Sequence, residues 1–244
     1  MISLCGNIVS DVKVLSSTRR FDFGRELLKI IAIVTMVIDH IGTILYPDLL
    51  FLNVIGRLAF PLFAYLIMLG VESTKKPRKY LVTLLVFALI SQLPYFLAFS
   101  IQPFEQLNII FTLFLSAVTV YFYNQKNPLA FVPLLLSIIL PTEGTFYVVL
   151  MVVGMKLLKE TPKLGALALF ALNLQSLFSS DIDTQIQILS LFALPLIFLH
   201  IKGWLKKEIL IPENSLAYSL RKYAFYLFYP LHLALLFLIK LFFF

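Results

Sequence analysis

Long apolar runs separated by short polar and basic loops set the rhythm of this chain. Runs over 27–47, 52–71, 80–99, 163–178, 184–199 and 223–244 reach or approach the roughly 20 residues that a helix needs to cross a bilayer. Three shorter runs, 108–123, 128–140 and 145–158, fill the middle, broken by NQKNP and PTEG. The pattern predicts an all-α polytopic transmembrane helix bundle of about nine spans, or seven if 128–158 forms a re-entrant pair. The runs lack the alternation that a membrane β-barrel needs. Residues 1–24 read as a cytoplasmic N-terminal arm, and 25–244 as a single membrane domain. Within that domain, Trp204, Leu205, Ile209, Leu210 and Ile211 alternate with lysines. Segment 202–222 therefore reads either as an amphipathic helix on the inner leaflet or as a basic loop.

Composition agrees with the pattern. Hydrophobic residues make up 60% of the 244 and charged residues 14%, against about 25% charged in an ordinary soluble domain. The mean hydropathy is +0.94. A net charge of +7 raises nucleic acid as a partner, but the basic residues are dispersed among short loops, so the implied partner is the lipid bilayer. With the N-terminus inside, every Lys and Arg except Arg57 and Lys240 falls on the cytoplasmic side. The outer loops then carry Asp48, Glu105, Glu143, Asp181 and Asp183 and no basic residue. That one-sidedness fixes the expected orientation. The single cysteine, Cys5, excludes an internal disulfide and a thiolate metal cluster.

An ionisable side chain inside a span is expensive and marks a functional site by default. The first span holds Asp39 and His40, the second Arg57, and the last Tyr229 and His232. Gln92 and Tyr95 flank Pro94 in the third. At about 1.5 Å per residue, these groups fall in the middle to outer half of the membrane, at compatible depths. Neighbours on a helix point about 100° apart, so Asp39 is expected to pair with Arg57 and not with His40. A structural reading makes Asp39–Arg57 an ion pair locking two helices, His40 an interhelical hydrogen bond, and His232 part of a proline-kinked packing helix. A functional reading makes His40 the general base of a membrane acyltransferase, or Asp39, His40 and Arg57 the relay of a proton-coupled transporter. His40 and His232 lack a third ligand, so no metal is expected.

The blocks LLKIIAIVTMVIDHIG, IGRLAFPLFAYLIMLG, RKYLVTLLVFALISQLPY, LNIIFTLFL and FYLFYPLHL resemble, in order and spacing, the TraX family. The resemblance covers roughly residues 25–240. It implies a bacterial cytoplasmic-membrane enzyme related to one that acetylates the N-terminus of F-type pilin from acetyl-CoA. The family is also similar to the broad acyltransferase-3 group, whose members carry an arginine, ten intervening residues and then a catalytic histidine in the first span. Lys29 and His40 reproduce that spacing with Lys in place of Arg, a point charge where the group has a planar fork. The resemblance implies an inner basic rim of Arg25, Lys29, Arg78 and Lys79 that receives CoA phosphates. His40 then activates an external acceptor, a protein N-terminus or a glycan. Arg57, Gln92, Tyr95 or Tyr229 faces the oxyanion, with His232 in support.

Overall fold

The computed structural model describes residues 18–205, 207–212 and 216–243, with side chains described from Asp22 to Leu205, at Lys207 and from Tyr223 to Phe243. In chain order the elements are β1 (Thr18–Asp22), α1 (Phe23–Leu45), α2 (Leu50–Gly56), α3 (Ala59–Ser73), α4 (Pro77–Phe99), α5 (Ile109–Asn124) and α6 (Phe131–Ile139). There follow α7 (Thr145–Glu160), α8 (Pro162–Leu174), α9 (Ile182–Gln185), α10 (Leu194–Ile201), β2 (Glu208–Pro212) and α11 (Leu216–Phe243). Short 3-10 turns bridge α8 to α9 and α9 to α10. Among the described residues, five helical stretches are long and apolar enough to cross a membrane: Phe23–Leu45, Leu50–Ser73, Pro77–Phe99, Ile182–Ile201 and Tyr223–Phe243. The chain is a multi-pass membrane protein.

The helices are apolar on both faces, as they must be where lipid replaces water. On α4, Ala88, Ser91, Gln92 and Tyr95 are buried, while Val82, Val86, Leu89 and Leu93 form an exposed apolar stripe on the opposite side. On α1 the buried stripe repeats every fourth residue: Leu28, Ala32, Met36, His40 and Ile44. His40 thus occupies a core position, directed inward by the same periodicity that packs its apolar neighbours. The long α11, with Pro230 inside it, packs against α4 and α1.

One expectation is corrected. Residues 208–212 are not amphipathic helix but a strand, paired antiparallel with β1 so that Thr18 faces Pro212 and Asp22 faces Glu208. The ribbon also satisfies the start of α1: Asp22 Oδ1 accepts from the Arg25 N–H at 3.2 Å, and the Phe23 N–H donates to Lys207 O at 3.0 Å. An N-cap carboxylate matches the orphan N–H groups and the positive end of the helix. Residues 216–222 form the first turns of α11, and Lys206 and 213–215 lie outside the described residues.

Candidate functional site

Two histidines 192 positions apart meet at the centre. His40 Nδ1 lies 2.8 Å from His232 Nε2, and the rings stack at 5.0 Å between centroids and 5° between planes. His232 Nδ1 lies 2.9 Å from the carbonyl oxygen of Phe228. A carbonyl only accepts, so His232 Nδ1 carries the hydrogen. In the neutral pair His232 Nε2 is then an acceptor, and His40 Nδ1–H must donate to it. His40 Nε2 is left with a free lone pair. The arrangement assigns a direction to the chain of bonds, from His40 through His232 to Phe228, and makes His40 Nε2 a proton acceptor.

Asp39 points to the neighbouring helix, as the 100° offset requires. The approach is close because position 56 is glycine: a Cβ there would stand 2.1 Å from Asp39 Oδ1. The ion pair with Arg57 is loose, at 3.9 Å from Nη2 to Oδ1, and both side chains keep some exposure. Asn53 Nδ2 donates to Asp39 Oδ1 at 3.4 Å, and Arg57 Nη1 to Gln187 Oε1 at 3.4 Å. Arg57 Nε is buried without a partner among the described residues. Neither charge is saturated, so the pair is a weak lock between α1 and α2.

Two cavities meet at these residues. The inner one, about 220 Å³, is lined by Arg25 and Lys29 at one end, by apolar side chains such as Met36, Phe63 and Leu113, and by Tyr229, Asp39 and His40. The outer one, about 570 Å³, is lined by Asp39, His40, Arg57, Glu143, Asp183 and Gln187 among others. Asp39, His40, Phe60 and Glu143 belong to both linings. At the inner end, Lys29 Nζ donates to Glu26 Oε1 at 2.6 Å, and Arg25 Nη1 to Ser73 Oγ at 2.8 Å. Arg78 and Lys79 begin α4 outside the cavity lining; their neighbour Tyr80 lies within it.

Gln92 and Tyr95 are engaged elsewhere. Gln92 Oε1 accepts from the backbone N–H and Nδ2 of Asn108, at 3.0 and 2.8 Å. Gln92 Nε2 donates to Gln106 O, and the Tyr95 hydroxyl to Gln106 Oε1, both at 2.8 Å. These bonds tie the loop 101–108 to α4. The same loop pairs with 141–143, where Leu107 N–H donates to Pro141 O and Glu143 N–H to Leu107 O, each at 2.8 Å. The result sets Glu143 Oε2 3.0 Å from the Ile109 N–H, at the N-terminus of α5 and facing both cavities. Burial pushes this loop carboxyl up to about 7, with Asp39 adding repulsion and the Ile109 N–H pulling the other way.

The sequence places Glu143 only among the loop acids, not in the site, and does not single out His200. His200 is 2% exposed; its Nδ1 lies 2.8 Å from the Tyr65 hydroxyl and its Nε2 3.0 Å from Asp22 Oδ2. It links α10 and α3 to the ribbon, and does not line either cavity. The one available signal was a third histidine closing the apolar run LFALPLIFLH.

No solved structure matches the chain. It is similar to the probable fimbrial assembly protein FimC, serogroup H1, of Dichelobacter nodosus, at 28% identity over 92% of this chain and 99% of that one. It is also similar to an uncharacterized protein of Rickettsia prowazekii (strain Madrid E), at 30% identity over 53% of this chain. That alignment spans about half of the rickettsial protein, 54% of its length. The TraX protein family profile matches residues 24–240, nearly the whole chain, and the chain belongs to that family.

Proposed function

We propose that this protein is an integral membrane acetyltransferase that moves an acetyl group from cytoplasmic acetyl-CoA to an acceptor amine or hydroxyl at the outer side of the membrane. The observation that carries the reading is the junction of two cavities at His40, whose Nε2 lone pair is free while Nδ1 is committed to His232. The inner cavity suits the donor: cationic at its mouth, where Arg25 and Lys29 meet phosphates, and apolar along its length. The outer cavity suits a polar acceptor, with Asp39, Glu143 and Asp183 against one cation, Arg57. His40 Nε2 takes the acceptor proton as its nitrogen or oxygen attacks the thioester carbonyl carbon. On collapse the C–S bond breaks, and the proton passes from His40 to the departing thiolate. Likeness to a fimbrial assembly protein supports a pilin-type protein N-terminus as one acceptor; a glycan hydroxyl meets the same chemistry.

The test is labelled acetyl-CoA, supplied to the purified protein in detergent with a membrane extract. The expected result is a labelled product that forms only with the protein present. CoA affinity should fall as salt rises, and Lys29→Ala or Arg25→Ala should weaken it further, since exposed charge attraction is screened over about 10 Å at 0.1 M salt. A proton-coupled transporter using Asp39, His40 and Arg57 is the competing reading. It wins if the protein binds no CoA but dissipates a pH gradient in liposomes.

We further propose about nine spans, or seven if 128–158 is re-entrant, with the N-terminus cytoplasmic, in the bacterial inner membrane. Reporter fusions after residues 77 and 205 should then read as cytoplasmic, and those after 48, 103 and 182 as external. An internal signal at 182 would refute the charge argument for the C-terminal half.

A further inference from the structure

Tyr229 carries a hydroxyl whose hydrogen finds no acceptor among the described residues. Its side chain is 5% exposed, and its oxygen is buried with no hydrogen-bond partner among the described residues. A buried hydroxyl left unpaired costs stability, and one that persists calls for a reason. Four other buried side-chain atoms share that condition: Arg25 Nε, Arg57 Nε, Ser91 Oγ and Thr142 Oγ1. Of the five, only Arg25 and Tyr229 belong to residues lining the inner cavity, and Arg25 stands at its far, cationic end. Among the described residues, Tyr229 is therefore a buried, unpaired donor that stands beside His40 in the proposed donor channel.

Its position is fixed from several sides. The Tyr229 ring stands edge-on to His40 at 6.2 Å between centroids, and edge-on to His232, one helical turn ahead, at 5.5 Å. The two side chains that the sequence offered as oxyanion donors in α4 are committed to Gln106 and Asn108. We infer that the Tyr229 hydroxyl is a catalytic hydrogen-bond donor to the thioester carbonyl oxygen. This rests on the acetyltransferase reading. As the acceptor's nitrogen or oxygen bonds to the carbonyl carbon, the π pair moves onto the carbonyl oxygen, and His40 Nε2 holds the acceptor proton. Tyr229 O–H donates to that oxyanion without transferring its proton. When the carbonyl re-forms and the C–S bond breaks, the proton passes to sulfur and the hydroxyl is unchanged. A donor that is unpaired in the free protein spends no existing bond to do this, which is the condition for a preorganised site.

The experiment compares Tyr229→Phe, Tyr229→3,5-difluorotyrosine and His40→Ala with the parent, using labelled acetyl-CoA and a membrane extract in detergent. Tyr229→Phe should lower kcat by about 10²- to 10³-fold, as loss of one oxyanion donor does. The KM for acetyl-CoA and the thermal midpoint should hold, because the hydroxyl lost had no partner. Difluorotyrosine, which restores a donor, should recover most of the rate. A Tyr229→Phe rate within threefold of the parent, while His40→Ala is inactive, overturns this assignment and leaves the acetyltransferase reading standing. A lowered midpoint or a raised KM in place of a kcat loss makes Tyr229 structural and also overturns it. Absence of transfer in the parent removes both.

Discussion

Replacing His40 by alanine is expected to lower acyl transfer by about two to four powers of ten, the usual contribution of a positioned general base. The structure adds that the loss will not be free of a folding cost. His40 is 5% exposed and bonded to His232, so its removal leaves a cavity and strands His232 Nε2. An acceptor left unpaired costs about 1–3 kcal/mol. The informative comparison is His232→Ala, which breaks the same 2.8 Å bond from the other side. Both variants should show a similarly lowered thermal midpoint in detergent. Only His40→Ala removes the nitrogen that takes the proton. His232→Ala frees His40 to change tautomer and orientation, and should retain measurable transfer, reduced about tenfold by lost positioning. Equal activity in the two variants would make the histidine pair a structural clasp.

Most helices were legible as apolar runs bounded by loop residues, but the run 52–71 is broken into α2 and α3, the run 184–199 is largely 3-10 between α9 and α10, and α11 begins at Leu216, seven residues before the run 223–244. The inward direction of His40 was legible too, since 28, 32, 36, 40 and 44 share one face of any helix. So was the separation of Asp39 from His40, which the helical offset alone dictates. What failed was long-range. The residues of 202–222 mix apolar and basic positions, and the short apolar run 209–211 fits a strand as well as the interfacial helix or basic loop that was expected. The choice was made by TRRFD, about 190 positions earlier, which supplies a partner edge. No local pattern announces such a pairing. Polar residues at similar depth also looked like one constellation, although Gln92 and Tyr95 serve a loop. Depth can be counted along a helix; which groups are already satisfied depends on loops that carry no periodic signal. Glu143 reaches the site through just such a loop, bonded to 107 and 109.

Gly56→Ala is expected to be the most damaging small substitution at the site. The added Cβ would stand 2.1 Å from Asp39 Oδ1, 2.3 Å from its Cβ and 2.5 Å from its Cγ, so no rotation of the carboxylate alone clears it. Either Asp39 swings out of its contacts with Asn53 and Arg57, or α2 moves away from α1. Overpacking of this kind costs about 1–3 kcal/mol, and disrupting the loose ion pair adds a little more. The movement reaches the chemistry, because Asp39 and Gly56 line the inner cavity beside His40. Transfer activity should fall together with the thermal midpoint. Pairing the change with Asp39→Gly removes the atoms that the new methyl meets, at about 1 kcal/mol for a glycine inside a helix. If the clash is the cause, the double variant should melt above the Gly56→Ala single variant, against additivity. Whether transfer returns with it then divides two roles of Asp39: recovery makes the carboxylate a spacer, and continued loss makes it a partner of the acceptor. A Gly56→Ala protein that melts and turns over like the parent would mean that α1 and α2 do not approach as closely as 2.1 Å implies.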